Sequence, residues 1–445
     1  MTAPGNAENV GAAFAEIHPP LSESQAAVEA ARCLYCYDAP CTRACPTHID
    51  IPRFIRQILH RDPIGAAGTI LAANIFGGSC ARACPVEVLC EGACVENTHL
   101  KLPIRIGALQ RFACDTAHEI STGFFEAGPD TGRKIAITGA GPAGLTCAHE
   151  LRKRGHAVTI FEARALPGGL NTVGIAAYKI STEFALAEVQ RVQAIGGIDL
   201  RLASPIDGSK LAELLNQFDA VFLAVGLGRT APLHIPGEQA AGVLESLDFI
   251  ARTHAPSPGR LRIGRHVVVI GGGNTALDCA NAAVRLGAER VTLAYRRSRE
   301  AMPGFAHETA LAEASGVRFE WNALPTEILS ESGKAACVRF VRTRATSDRH
   351  APPQTIPNSE FVIAADTVIK ALGQETMDEL LRAIPGLQLS GGGRVLADPR
   401  TGATSVPRLF AGGDCQQGAK EEVVNAVQAG KIAAAGIHEF LKQAY

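Results

Sequence analysis

The chain has 445 residues, 20% of them charged, and a formal net charge of −1. That length predicts about three domains with ample material for buried cores. The near-neutral balance leaves no electrostatic footprint for nucleic acid or for an anionic membrane surface.

At the N-terminus, Met1 to Val10 carries no basic residue and no apolar core, so a secretory leader is not expected. No apolar run approaches the roughly 20 residues of a membrane helix, and a cytoplasmic protein without membrane or nucleic-acid partners is expected. Cysteine use is uneven. Of thirteen cysteines, eight lie between Cys33 and Cys94; Cys114, Cys147, Cys279, Cys337 and Cys415 are scattered beyond them. A disulfide-stapled module would need export, whereas clustered thiols in a reducing compartment more often hold metal.

The first group is Cys33-x2-Cys36-x4-Cys41-x3-Cys45-Pro46. It resembles the bacterial ferredoxin run, in which the Cys before Pro ligates the other cluster of a pair. The second is Cys80-x3-Cys84-Pro85-x4-Cys90-x3-Cys94. Zinc favours paired Cys-x2-Cys knuckles, and one such pair is present. Two groups of four thiols fit two 4Fe-4S clusters better, and counting alone would make Cys80 the eighth ligand. Between the groups, 47–79 reads as helical, with Ile51, Phe54, Ile55, Ile58 and Leu59 at helical spacing and Pro52 in a first turn. Residues 116–133 read as a linker.

Beyond it the pattern becomes strand, glycine turn, helix. Lys134 to Thr138 is a strand, followed by Gly139, Gly141, Pro142, Ala143 and Gly144, a helix, and a second strand Val158 to Phe161 ending at Glu162. This is a complete dinucleotide fingerprint, with Glu162 placed to bond ribose hydroxyls. The unit recurs as His266 to Ile270, then Gly271, Gly272, Gly273, Asn274, Thr275 and Ala276, then Val291 to Tyr295. Arg296 and Arg297 stand where the first unit has Glu162. An acid favours a free 2′-hydroxyl and arginine a 2′-phosphate, so the first site reads as FAD and the second as nicotinamide, leaning to NADPH. A solvated basic turn is the other reading of Arg296, Arg297 and Arg299.

Two apolar strands, Phe218 to Gly226 and Phe361 to Gly373, end in Ala224-x-Gly226 and Ala371-x-Gly373 and can return the chain past a cofactor. A third ends at Gly413-Asp414 before a helix from Glu422 to Phe440; Asp414 can hold a flavin ribityl hydroxyl or cap that helix. The expected fold is α/β: two Rossmann-like domains, the nicotinamide domain inserted in the FAD domain, preceded by an α-helical domain with two 4Fe-4S clusters. The boundaries are 1–130 (clusters), 131–262 (FAD, first part), 263–372 (NAD(P)) and 373–445 (FAD, second part).

Residues 33–112 closely resemble the N-terminal iron–sulfur domain of dihydropyrimidine dehydrogenase, through Cys33-Leu-Tyr-Cys36-Tyr-Asp-Ala-Pro-Cys41, Cys45-Pro-Thr-His-Ile-Asp-Ile-Pro52, Cys84-Pro-Val-Glu-Val-Leu-Cys90 and Ile106-Gly-Ala-Leu-Gln-Arg-Phe112. The remainder resembles that family's FAD and nicotinamide domains. The resemblance implies one cluster on Cys33, Cys36, Cys41 and Cys94, and a second on Cys45, Cys84, Cys90 and the amide oxygen of Gln110. It also implies FAD contacts at Glu162, Gly168, Gly169, Leu170 and Lys179. Family members often carry arginine at the Lys179 position. The family's further arginine for a 2′-phosphate falls near Pro303 here, so the resemblance points to NADH. The Cys84-to-Cys90 interval is expected to set the chain apart from glutamate synthase small subunits.

The resemblance further implies an electron-input subunit. It would take hydride from NAD(P)H onto FAD between its two Rossmann-like domains. Its electrons would pass through two clusters to a partner, the FMN- and iron–sulfur-bearing catalytic subunit of dihydropyrimidine dehydrogenase, in a hetero-oligomer. No side chain is needed as a general acid or base, so no catalytic residue is nominated among His18, His48, His99, His149 and His307. The alternatives are a glutamate synthase small-subunit-like or other nicotinamide-dependent flavin feeder, and a non-catalytic iron–sulfur assembly module.

Overall fold

The computed structural model describes residues 13–120, 123–254, 263–345 and 351–443. The reading of Met1 to Val10 and the boundary at 262 lie outside them. The chain divides into two compact units, one of His18–Thr172, Lys179–Leu227 and Thr376–Tyr445, the other of Met1–Ile17, Val173–Tyr178 and Gly228–Glu375.

The first unit contains a five-stranded parallel sheet in the order Leu409–Ala411, Ala220–Leu223, Lys134–Thr138, Ala157–Phe161, Ile198–Arg201. Helices cover it, so its central strands read as near-continuous apolar runs. Ile135, Ile137, Ile160 and Phe222 are fully buried. The register aligns Thr138 with Phe161 and with Leu223. Gly139, Glu162 and Ala224 therefore leave the sheet at one edge, the carboxyl end where such folds bind ligands.

The cysteine-bearing part of this unit is helical. In Ile51–Leu59, Ile51, Phe54, Ile55 and Ile58 face inward, and Asp50 accepts from the Arg53 N–H at 3.2 Å. The predicted helical stretch 47–79 resolves into Ile51–Leu59, Pro63–Ala73 and the start of Gly77–Ala83, with Asp62 capping the second at Gly65. The helix Ile106–Ile120 runs into the predicted linker, because buried Ala113, Cys114 and Ala117 keep its inner face apolar. Helical and sheet parts interlock: Ile75 and Phe76 sit in the core of the sheet, while Val424 of the last helix, Val423–Gln443, sits in the helical core.

The second unit carries a parallel sheet in the order Val243–Glu245, Thr367–Lys370, His266–Ile270, Arg290–Tyr295, Arg318–Trp321, and an antiparallel sheet of Ala323–Glu331, Lys334–Arg344, Gln354–Thr355 and Phe361–Ala364. The main segment of this unit starts at Gly228, earlier than the predicted 263, because Val243–Glu245 pairs in parallel with Thr367–Lys370. The single strand expected over 361–373 is two. Phe361–Ala364 pairs antiparallel with Lys334–Arg344, and Asp366 then accepts from the Arg265 and His266 N–H groups, turning the chain into the parallel sheet. Among the described residues no single helix is long and apolar enough to cross a membrane.

Candidate functional site: two dinucleotide cradles and a cysteine-lined cavity

In each parallel sheet the first glycine after the central strand has positive φ, 104° at Gly139 and 151° at Gly271. A Cβ on Gly139 would run into the Ala224 carbonyl, and one on Gly271 into the Ala371 carbonyl. Only glycine lets the turn pass these neighbouring strands. This is why Ala224 and Ala371, singled out in sequence, lie beside the two fingerprints.

The helices that follow, Pro142–Lys153 and Asn274–Arg285, have glycine N-caps, Gly141 and Gly273, and no side-chain cap. Elsewhere Ser22, Asp50, Asp62, Ser181 and Asp207 cap their helices. An uncapped helix start presents orphan N–H groups and positive partial charge, the complement of a pyrophosphate. A Cβ on Gly273 would meet nothing within 4 Å, and one on Gly141 only the Gly169 Cα, at 4.0 Å.

In the first unit, the Gly168 N–H donates to the Ala140 carbonyl at 2.8 Å, so Gly168 and Gly169 lie against the fingerprint turn. Glu162 is buried and accepts from the Ala140 and Arg164 N–H groups at 2.7 and 2.8 Å, which fixes its carboxylate at the sheet edge. Lys179 is buried. Next to Leu170, Asn171 is buried with its Nδ2 unpartnered, a donor the sequence reading missed although it sits in the run that was singled out. These residues fit a dinucleotide: a glycine cradle, uncapped N–H groups and an orphan donor.

Gly413, with φ 77°, stands against the Ala143 side chain. The neighbouring Asp414 carboxyl is pushed up to about 6 by burial, with Glu421 adding to the shift and Arg394 opposing it. Asp414 does not cap the last helix, which starts at Val423.

At the second fingerprint, Asn274 Oδ1 accepts from the Phe305 N–H at 2.9 Å. Arg297 Nη2 donates to the Ala351 carbonyl at 3.0 Å, and Arg299 pairs with Glu313 at 2.8 Å. Arg296 is exposed at the end of its strand, with its carbonyl taken by Thr343 Oγ1. The structure thus separates the two predicted arginines: Arg297 is partly spent on the protein, and Arg296 is the guanidinium facing solvent.

Cys33, Cys36, Cys41 and Cys94 line one pocket, with Ile51, Ile55, Ile104 and Ile106 as its apolar wall. The sequence-distant Cys94 thus stands with the first group. Burial raises the Cys33 and Cys41 thiols, the latter to about 11, and Cys94 raises both further. Cys45, Cys80, Cys84 and Cys90 form the other group. The Cys84 thiol is raised by its hydrogen bond to Cys80, then by burial and by Cys80, Cys90 and Cys45; Cys90 is raised by burial, Glu91 and Cys45. Cys33, Cys41, Cys84 and Cys90 are therefore thiols that metal would have to deprotonate, as expected of sites whose loading releases protons. Among the described residues, no three His, Cys, Asp or Glu side chains converge on a single-ion site. Cys33, Cys36, Cys41 and Cys94 instead line a shared pocket, which suits a polynuclear cluster.

Around the second group, Cys80 Sγ accepts from Asn74 Nδ2 at 3.1 Å. Gln110 is buried and its Nε2 donates to the Gly77 carbonyl at 2.7 Å, which orients the amide and leaves its oxygen as the end not used in that bond. The helix carrying Cys80, Gly77–Ala83, is held at its start by Glu188, another residue the sequence reading missed. The Glu188 carboxylate accepts from the Gly78 N–H at 3.0 Å and the Ser79 N–H at 3.2 Å, and from the Ser79 hydroxyl.

Two family patterns match the chain: pyridine nucleotide-disulphide oxidoreductase over residues 133–430, and dihydropyrimidine dehydrogenase domain II, 4Fe-4S cluster, over residues 10–122. The glutamate synthase [NADPH] small chain of Escherichia coli (strain K12) is 36% identical over 449 residues, covering 96% of this chain and 94% of that one. The NAD-dependent dihydropyrimidine dehydrogenase subunit PreT of Salmonella typhimurium is 33% identical over 432 residues, covering 96% and 97%. The expectation that the Cys84-to-Cys90 interval sets the chain apart from glutamate synthase small chains has no counterpart in these identities. Among solved structures, Mycobacterium tuberculosis FprA in complex with NADPH shares the fold, with TM-score 0.58 and 19% identity over 71% of this chain and 85% of that one.

Proposed function

Since the chain belongs to the pyridine nucleotide-disulphide oxidoreductases, as a flavin and iron–sulfur electron-transfer oxidoreductase working with FAD, NAD(P)H and 4Fe-4S clusters, we propose that it is the electron-input subunit of a dihydropyrimidine dehydrogenase. Its acceptor is a partner subunit bearing FMN and iron–sulfur clusters, which reduces the C5–C6 bond of uracil or thymine in a reversible reaction. The observation that carries this reading is one packed unit holding both a flavin-type dinucleotide cradle and a cysteine cavity of iron–sulfur pattern.

When bound, FAD accepts the paired electrons of a nicotinamide hydride and releases them singly, which is what iron–sulfur clusters can take up. The chain's own residues bind, orient and insulate. Gly139, Gly141 and Gly144 admit the flavin pyrophosphate to the Pro142–Lys153 helix start, and Glu162 takes the ribose hydroxyls. Gly168, Gly169, Leu170 and Lys179 line the same site, Asn171 supplies its free donor, and Gly413 and Asp414 take the ribityl chain. Gly271 to Ala276 do the same for the nicotinamide dinucleotide, with Arg296 as the group for a 2′-phosphate. Cys33, Cys36, Cys41 and Cys94 hold one cluster; Cys45, Cys84, Cys90 and the Gln110 oxygen hold the other. Leu34 and Val95 are exposed at the rim of the first cavity, which supports electron exit to a partner there.

A second reading, the small chain of a glutamate synthase, is supported by the 36% identity over nearly the full length of both chains. The test is anaerobic reduction of the purified protein by NADH and by NADPH, followed by reconstitution with each class of partner. Flavin bleaching followed by cluster reduction, then uracil-dependent oxidation of nicotinamide, is the expected result. Turnover only with glutamine and 2-oxoglutarate would favour the second reading, and no bleaching with either nucleotide would leave an assembly role. An Arg296→Ala variant should lose about tenfold or more in NADPH efficiency with little change for NADH, the loss of one charge-assisted contact.

A further inference from the structure

The last helix, Val423–Gln443, lies against the start of the flavin-fold helix, where a Cβ on Gly430 would run into the Ala143 carbonyl. The next residue, Lys431, reaches the other way, into the cysteine-bearing part of the same unit. Its ammonium donates to the Ala73 carbonyl at 2.6 Å and faces the Thr47 carbonyl at 3.5 Å. Thr47 is itself buried, with its Oγ1 3.3 Å from Cys45 Sγ. Thr47 thus stands between the ammonium and the Cys45 sulfur, in contact with both.

The charges around Lys431 are accounted for. Glu150 is the acid within range, but it pairs with Lys153 at 2.8 Å and Arg154 at 3.0 Å. Ala73 ends the Pro63–Ala73 helix, so the ammonium also meets the negative end of a helix dipole. That contact explains why a lysine is tolerated here. It does not explain why the charge is aimed at the strand of chain between Cys45 and Thr47.

We propose that Lys431 is a positioning residue that tunes electron flow, a fixed positive charge raising the reduction potential of the cluster held by Cys45. This rests on the reading that Cys45, Cys84 and Cys90 hold a 4Fe-4S cluster. Such a cluster, with its thiolates, is net negative, and taking one electron from the reduced flavin adds one negative charge. A nearby cation stabilises the reduced form, so its removal lowers the potential. At an effective dielectric suited to a partly buried pair, a unit charge at this range shifts the oxidised-to-reduced ratio by roughly tenfold, or about 59 mV for a one-electron couple.

The experiment is a redox titration of the anaerobically purified protein, its clusters followed by electron paramagnetic resonance, for the wild type, Lys431→Gln, Lys431→Met and Lys431→Arg. Glutamine keeps a donor for the Ala73 carbonyl without the charge. The expected result is full iron and flavin content in all four. The midpoint of one cluster should fall by about 59 mV, a tenfold change in its oxidised-to-reduced ratio, in the glutamine and methionine variants and return to the wild-type value with arginine, the other cluster staying unmoved. Full iron with both potentials unchanged would overturn the proposal, as would loss of iron in the glutamine variant restored by arginine, which would make the lysine purely structural. A wild-type protein that binds no iron at all would instead defeat the cluster reading itself.

Discussion

Asp414 is an acid whose surroundings work against its charge. Burial lifts its carboxyl to about 6, from the 3.8 of an unstrained aspartate, and Glu421 adds to the effect. A carboxyl raised on folding binds its proton more tightly in the folded than in the unfolded chain, so stability falls as pH rises through the window from about 4 to about 6. For the flavin-stripped chain, Asp414→Asn should therefore be neutral near pH 4 and stabilising at pH 7. The gain is at most about 2–3 kcal/mol, the free energy of a two-unit shift. Thermal melts across that window test this, and a gap between variant and wild type that does not grow with pH would refute it. The acid was legible in sequence because it follows a strand end and a glycine pair. Its environment was not, since that depends on Glu421 and Arg394.

Single elements repeat that division. The glycine turns could be read locally because their chemistry lies within six residues. The Gly77–Ala83 helix could not, because what holds it is Glu188, more than a hundred residues away in sequence. Arg82 on that helix also stacks on Phe184, 3.7 Å from the ring centroid, and pairs with Asp115 at 2.9 Å. Glu188→Ala would strand the Gly78 and Ser79 N–H groups in a dry interior, and a loss of about 2–4 kcal/mol in denaturant unfolding is expected. Glu188→Gln, which keeps one acceptor, should cost less. Equal losses for the two variants would mean that the carboxylate's several bonds do not matter. Lys431 escaped the sequence reading for the same reason, since it belongs to no motif and acquires meaning from what faces it. The strand break falls at Asp366, where a charged residue interrupts an otherwise largely apolar stretch; its role in turning the chain depends on the Arg265 and His266 N–H groups, about a hundred residues away in sequence.

Across the whole molecule, the order of the two fingerprints and the return strand was enough to expect one nucleotide fold inserted in another. Composition did not reveal that the insert begins at Gly228, because Val243–Glu245 is a short strand without alternation. The grouping of Cys94 with the first cysteine group came from resemblance, and spacing alone could not have produced it. The grouping can be tested at this scale. Cys94→Ser and Cys84→Ser should each lower iron from about eight to about four atoms per chain, and each should remove a different cluster signal. Loss of the same signal in both variants would contradict the assignment.

The interlocked core has a consequence for how the protein is made. Because Ile75 and Phe76 complete the interior of the flavin sheet and Val424 completes the helical interior, neither part can mature by itself. Metal binding stabilises only the folded form, so iron supply should set the lifetime of the flavin-loaded fold as well. Iron-starved chains are then expected to melt in one transition at lower temperature and be cleared by proteolysis. They would not persist as flavin reductases that spend nicotinamide on dioxygen.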